Sequence, residues 1–381
     1  MKIALLTTDN REHYRDYANP RPYFGTAPEA LLQGFAGMPD LEVHVVSCLC
    51  HPVRSPEKLA PNIYYHGLVV PKMGWMRTLY RGCVRATRAK LREIRPDIVH
   101  GQGTERDCAM AAVRSGFPNV LTIHGNMQAI AMVHGARFGS FHWLASKLET
   151  LALKKTAGVF CNSAYTEDLV APRTRKTWRV PNPLRLDFFA PVPKKNPGSK
   201  PIILNVGVID PRKRQVELLE VARRLHECGL NFEFQFAGGP PAKTGYGATF
   251  TAALAPGVKA GYARHLGPLP TSQLIKKMDA ADALVHFPSE EAFGLVVAEA
   301  LARNLKLFGA RLGGILDITR DIPGVELFPS ADFNALEAAL ARWLSVGSPP
   351  APAAASLMQA RYHPEIIARR HLDIYREVLP G

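Results

Sequence analysis

Short apolar runs alternate with helix-period stretches along the whole chain. In the first half, residues 2–7, 43–47, 98–101, 120–124 and 158–162 read as strands. In the second half, residues 202–206, 233–237, 283–287 and 305–309 do the same. Helical stretches fall between them, among them 29–35, 215–226, 272–280 and 295–303, and an amphipathic stretch at 364–379 closes the chain. Strands alternating with helices predict parallel sheets covered on both faces, here two doubly wound Rossmann-like α/β domains. Two such domains in tandem leave a central cleft, and ligands of these sheets bind beyond the carboxyl ends of strands. Loops that follow strands therefore carry the functional expectations.

The pattern breaks at residues 190–201, a run rich in Pro, Gly and Lys with no periodicity. This places a first domain at 1–190, a linker at 191–200 and a second domain at 201–362, with 363–381 as a terminal helix. A chain of 381 residues is long enough for this division. The linker also marks a charge shift. Residues 1–193 carry 25 Lys and Arg against 15 Asp and Glu, a net +10, whereas 201–381 carry 19 against 18, a net +1. A basic first half suits anionic partners: nucleic acid, anionic lipid or phosphorylated substrates. The apolar start is too short for a signal peptide, and no apolar run approaches the roughly 20 residues of a membrane span. The six cysteines are scattered, and Cys48 and Cys50 lack the second pair of a zinc site. They read as reduced thiols of a cytosolic enzyme, with no metal expected.

Four loops carry candidate chemistry. In the first, strand 283–287 feeds a polar loop with Glu291, then Phe293 and Gly294, and a helix with Glu299 inside it. Glycine allows close backbone approach, and a helix start favours a phosphate. Two carboxylates there can grip hydroxyls of one ligand. Taken alone, a Glu pair reads as a solvated acidic loop; the strand–loop–helix setting favours the site. In the second loop, Gly207 is followed by Asp210, Arg212, Lys213 and Arg214, cations able to neutralise a pyrophosphate. A solvated basic loop is an equal reading of those residues by themselves. The third is His124-Gly125 after a strand, where the histidine is an acid/base, a donor to a sugar hydroxyl, or a structural group. The fourth is Gly25, in the first long loop after strand one.

These residues resemble family 4 retaining glycosyltransferases of the GT-B fold over most of the length. The most specific part is Glu291-Ala-Phe293-Gly294 followed by Glu299 after four residues. Arg95–His100, Thr122–Gly125, Cys161–Ser163, Val180–Asn182 and Gly313–Asp317 resemble further landmarks in order. The resemblance implies a nucleotide diphosphate sugar as donor (UDP- or GDP-sugar), an acceptor hydroxyl on a glycan or lipid-linked acceptor, and retention at the anomeric carbon. It implies Glu299 on the ribose, and Glu291 with Phe293, Gly294 and Leu295 around the donor sugar. Lys213 and Arg212 would take the diphosphate beside Gly207, His124 would sit by the transferring sugar, and Gly25 by the donor phosphate or acceptor. The catalytic expectation rests on His124, Glu291 and Lys213. The terminal helix resembles one that crosses back to the first domain. The family's Arg after the glycine is Val208 here, its paired N-terminal glycines are Gly25-Thr26, and its Gly-Val-Asp after Asn182 is Pro183-Leu184-Arg185. No Asp-x-Asp occurs, so metal-free chemistry in surface glycan or glycolipid synthesis is expected. A 2-epimerase or phosphorylase on the same fold, and a non-catalytic nucleotide-sugar binder, are the alternatives.

Arg77, Arg81, Arg85, Arg88 and Arg92 form one stripe at helical spacing, with Trp75 and Met76 just before. A solvated helix face is the preferred reading, and peripheral contact with anionic membrane the alternative. Aromatics are not interleaved with these arginines, which argues against nucleic acid. Residues 237–244 mimic a phosphate loop but carry alanines at its required glycines, and are rejected.

Overall fold

The computed structural model describes residues 1–71, 75–193, 200–239 and 241–379. Most of the expected linker, 194–199, lies outside the described residues, as does one position of the 237–244 stretch. The chain divides into two compact units, Met1–Arg185 with Tyr362–Gly381, and Leu186–Arg361.

The first unit holds strands β1 (Lys2–Leu6), β2 (Glu42–Leu49), β3 (Lys58–Ala60), β4 (Ile63–Val69), β5 (Ile98–Gln102), β6 (Asn119–Ile123), β7 (Val159–Cys161) and β8 (Thr177–Arg179). They form one sheet in the order β3-β4-β2-β1-β5-β6-β7-β8, parallel except for the β3–β4 pair. Leu5 is in register with Val45 on one side and His100 on the other. Alternate residues of β1 enter different cores: Ala4 and Leu6 pack with Val46, Val99 and Leu121, and Ile3 and Leu5 with Val43, Ile98 and Phe160. This is the two-face burial that parallel strands require. The closing helix Pro364–Val378 belongs to this unit and sets Ile367, Leu372 and Tyr375 into the second core, against Phe35 of helix Thr26–Ala36. The two helices cross closely because position 34 is glycine; a Cβ there would stand 2.3 Å from the Pro364 carbonyl oxygen.

The second unit holds β9 (Ile202–Val206), β10 (Glu233–Ala237), β11 (Ala263–Gly267), β12 (Ala283–His286), β13 (Lys306–Ala310) and β14 (Val325–Phe328). All are parallel, in the order β11-β10-β9-β12-β13-β14. In each sheet the first strand in sequence lies inside, and the strand order reverses beside it. The loops after β1 and β5, and after β9 and β12, therefore flank the switch points where such sheets bind ligands.

The expected strands lie within a residue or two of the observed ones. Five others escaped the apolar pattern. Strand β4 is buried only at Ile63 and Tyr65, β11 carries Arg264 and His265, β14 is only half-buried, and β3 and β8 are three residues long. The basic stripe needs correction: its helix spans Arg81–Ile94, so Arg77 stands outside it, and Trp75 and Met76 pack partly buried against the first core. No helix among the described residues is long and apolar enough to cross a membrane.

Candidate active site

In the second unit, β9 ends at Gly207, and the chain turns through Asp210, whose carboxylate accepts from the Arg212 amide at 2.9 Å and caps the short turn Pro211–Lys213. Gln215, fully buried at the start of helix Gln215–Glu227, donates to the Val208 carbonyl at 2.8 Å and braces the same loop. The loop after β12 comes to meet it, with the Ser289 amide donating to the Arg212 carbonyl at 2.8 Å. This contact joins the two loops that the sequence singled out. Lys213 Nζ lies 2.6 Å from Glu291 Oε2, and His286 Nε2 lies 2.8 Å from the same oxygen. Arg212 Nη1 approaches Glu290 Oε2 at 3.4 Å. The third cation, Arg214, turns elsewhere, to the Ser330 carbonyl and the Phe333 ring.

Burial works to raise the pKa of Glu291, but Lys213 and His286 outweigh it and hold the carboxyl well below the usual range. Glu291 is thus a fixed carboxylate that accepts hydrogen bonds and donates none. Its neighbour Glu290 is pushed upward, chiefly by burial. Burial likewise lowers the pKa of His286 in spite of Glu291.

Backbone fit explains the glycines around this carboxylate. Gly294 caps helix Leu295–Ala302 at φ 96°, a left-handed conformation that other residues resist. Gly313 and Gly314 lie against the 291–293 backbone. A Cβ on Gly313 would stand 2.0 Å from the Glu291 carbonyl oxygen, and one on Gly314 2.5 Å from the Phe293 Cα. Gly238, from the rejected phosphate-loop stretch, is glycine for a similar reason: its Cβ would stand 1.9 Å from the Gly207 carbonyl oxygen. Phe293 is buried, Leu295 half-buried in the first helical turn, and Glu299 buried farther along the same helix. Val208, where the resembling family carries Arg, is exposed.

In the first unit, His124 follows β6 and its Nε2 lies 2.9 Å from Gln102 Oε1. Asn182 is a second partner. Burial lowers the His124 pKa to about 4, so the ring is neutral at physiological pH. Gln102 in turn reaches His100, whose ring nitrogens bond Thr122 and the Tyr375 hydroxyl of the closing helix. Glu105, in the loop after β5, accepts from the Gly125 amide at 3.1 Å, and burial raises its pKa. Gly25 caps helix Thr26–Ala36 at φ −62°, a conformation open to any residue.

Sequence reasoning missed His286, Glu290 and Glu105. Each stands at or just past the carboxyl end of a strand, the position that marked His124, and that was the available signal. The cysteine reading is amended too: Cys48 has Cys83 and Asp107 as neighbours, their ligand atoms all within 4.8 Å, in place of Cys50.

Comparison with known proteins bears on both units. The model described as Glycosyltransferase Family 4 matches residues 30–188, and that described as Glycosyl transferases group 1 matches residues 189–355. No curated protein sequence matches the chain at a significant level. Among solved structures, a sucrose-phosphate synthase from Thermosynechococcus elongatus is 20% identical with a TM-score of 0.80, covering 99% of each chain. The Anabaena HepE protein in complex with UDP and glucose is 15% identical with a TM-score of 0.71, covering 99% of this chain and 100% of its own. A glycosyltransferase from Rickettsia africae is 14% identical with a TM-score of 0.65, covering 100% of this chain and 99% of its own.

Proposed function

The chain belongs to glycosyltransferase family 4, with the GT-B fold, and from that premise we propose that it moves a sugar from a nucleotide diphosphate sugar to an acceptor hydroxyl with retention at the anomeric carbon. The observation that carries this reading is the junction of the two loops at Lys213, Glu291 and His286 beside the Gly294 helix start. Lys213 and Arg212 take the diphosphate and stabilise the charge that develops on it as the glycosidic bond breaks. A UDP-sugar suits the fold, since HepE has been solved with UDP and with UDP-glucose. Glu291, held ionised, grips hydroxyls of the donor sugar. Glu299 takes the ribose, and Gly207 and Leu295 line the donor's path. His124, being neutral, positions a sugar hydroxyl and is not an acid. The cations and the helix start serve the leaving group in place of a metal.

The test is an assay of purified full-length protein with UDP- and GDP-sugars and a panel of glycan and lipid-linked acceptors. Proton NMR of the product should show the donor's anomeric configuration preserved, and EDTA should leave the rate unchanged. An inverted product, or a rate abolished by EDTA and restored by a divalent ion, would refute the corresponding part of the mechanism. Nucleotide binding with no transfer to any acceptor would turn the reading toward a binding protein.

A further inference from the structure

Helix Arg81–Ile94 forms one wall of a groove of about 650 Å³ in the first unit, lined by Arg81, Arg85, Arg88 and Arg92 and, beyond the end of helix Asp107–Val113, by Arg114. Its floor includes Val84. None of these residues belongs to the His124 cluster. The four helix arginines follow one another at spacings of four, three and four, so they share a face about 16 Å long. Like charges at such spacings destabilise a helix, and Arg81 in its first turn opposes the dipole. Arg92, in the last turn, is placed favourably for the dipole, but the start of the helix has no such offset. The first turn holds no acidic residue, and the cap, Tyr80, makes no side-chain capping bond.

Other surface helices are built differently. Arg223 lies between Glu220 and Glu227, Arg369 pairs with Glu365, and Arg376 with Asp373. On the groove helix itself the carboxylate of Glu93 serves Lys90. Among the described residues, none of the five groove arginines makes an ion pair with a carboxylate. The helix gives up stability to present four unpaired guanidinium groups to one concavity, where Arg114 adds a fifth. Guanidinium forks match phosphate oxygens two at a time.

We propose that this groove binds an anion carrying several phosphate groups, at a site separate from the candidate donor site. The concave shape suits a compact phosphate cluster. Trp75 and Met76, the side chains that would anchor in lipid, are packed against the core, and the Trp75 indole donates to the Pro71 carbonyl at 3.1 Å. These features favour a soluble polyphosphorylated ligand over a lipid head group.

The experiment uses the full chain and its Arg85→Gln/Arg88→Gln variant, with two probes at low salt. Calorimetric titration with tripolyphosphate tests the soluble source, and flotation with phosphatidylglycerol vesicles tests the lipid source. Tripolyphosphate should bind with an affinity that falls steeply as salt rises. The variant should bind at least roughly tenfold more weakly, as expected for loss of charge-assisted contacts. Its thermal midpoint should match or exceed the parent's, because repulsion along the helix is relieved, and this separates loss of binding from loss of fold. Flotation without tripolyphosphate binding would overturn the polyphosphate proposal in favour of an anionic lipid surface, since phosphatidylglycerol carries a single phosphate. Failure of both probes, or binding by either that is equal in parent and variant, would overturn the proposal. Neither result depends on the donor reading, because the readout is the difference made by two arginines outside that site.

Discussion

His124 in the first unit and Glu291 in the second occupy corresponding places, each in the stretch that follows an interior parallel strand. Their surroundings are built from opposite materials. His124 is held by Gln102 and Asn182, and behind Gln102 stand His100, Thr122 and Tyr375, a network of neutral donors and acceptors. Glu291 is held by Lys213 and His286, with the Arg212–Glu290 pair beside it. Under the proposed function, the difference follows from what each place is to meet. A sugar hydroxyl is recognised by neutral hydrogen bonds, whose geometry depends on a fixed ring. A diphosphate needs formal charge, and charge in a partly buried loop persists only when paired. Under the proposed function Glu291 does double duty, gripping ligand and holding the Lys213 ammonium in place.

The sharpest way to break this contrast is to change charge without shape. Glu291→Gln removes the charge and keeps the hydrogen-bonding outline. It should lower kcat by roughly 10²–10³, the scale reported for losing one electrostatic contact at a reacting centre. His124→Asn, which exchanges one neutral hydrogen-bonding group for another, should cost about tenfold at most. Steady-state kinetics on both, with circular dichroism as a check on folding, decide the matter. If His124→Asn is as damaging as Glu291→Gln, the first unit depends on imidazole chemistry, and the description of the His124 cluster as a neutral network is wrong.

Acid should separate the units by stability. Burial lowers the pKa values of His66, His124 and His371 to about 4, and that of His100 well below its ordinary value. The unfolded chain takes up protons near 6.5 that these folded histidines refuse. Stability present above pH 6.5 is therefore lost as the pH falls toward 4. For the buried His371 alone the loss is on the order of 3 kcal/mol. The second unit has one histidine shifted this way, His286. Glu291, shifted downward from 4.5, keeps its contribution until the pH falls below that value. Hydrogen exchange at pH 7 and pH 5 should show the first unit loosening first. Equal loosening, or the second unit leading, would contradict the assignment of neutral buried histidines to the first.

The same contrast governs what the sequence disclosed. Strand–helix alternation was legible because buried parallel strands are apolar on both faces. Strands β3, β4, β8, β11 and β14 were not, because they are short, partly exposed or charged. The second unit's candidate site was largely readable as two loops, since Glu291, Phe293 and Gly294 are close in sequence and the cations Arg212 and Lys213 are consecutive. The first unit's network was not. It joins His100, Gln102, His124, Asn182 and Tyr375 across 275 residues, and no local spacing announces that Tyr375 of the closing helix meets His100. Gly313 and Gly314 matched a family landmark, but their reason, contact with the backbone of residues 291–293, is visible only in three dimensions.

Gly25 poses the smallest expected effect on stability and the cleanest distinction between fold and ligand. The glycines of the second unit's site are demanded by the fold: Gly294 by its positive φ, and Gly313 and Gly314 by backbone with no room for a Cβ. Gly25 is under neither demand. Its φ is −62°, and a Cβ would find its nearest neighbour, Pro28 Cδ, at 3.6 Å, an ordinary contact. Gly25→Ala should therefore leave the unfolding free energy within about 0.5 kcal/mol of the parent's, the range of a surface change. If kcat/KM with a nucleotide sugar nevertheless falls several-fold, the space at position 25 is kept for a ligand that approaches the start of helix Thr26–Ala36. If activity is unchanged as well, Gly25 has no part in the site, and the first unit's contribution contracts to the neutral network around His124.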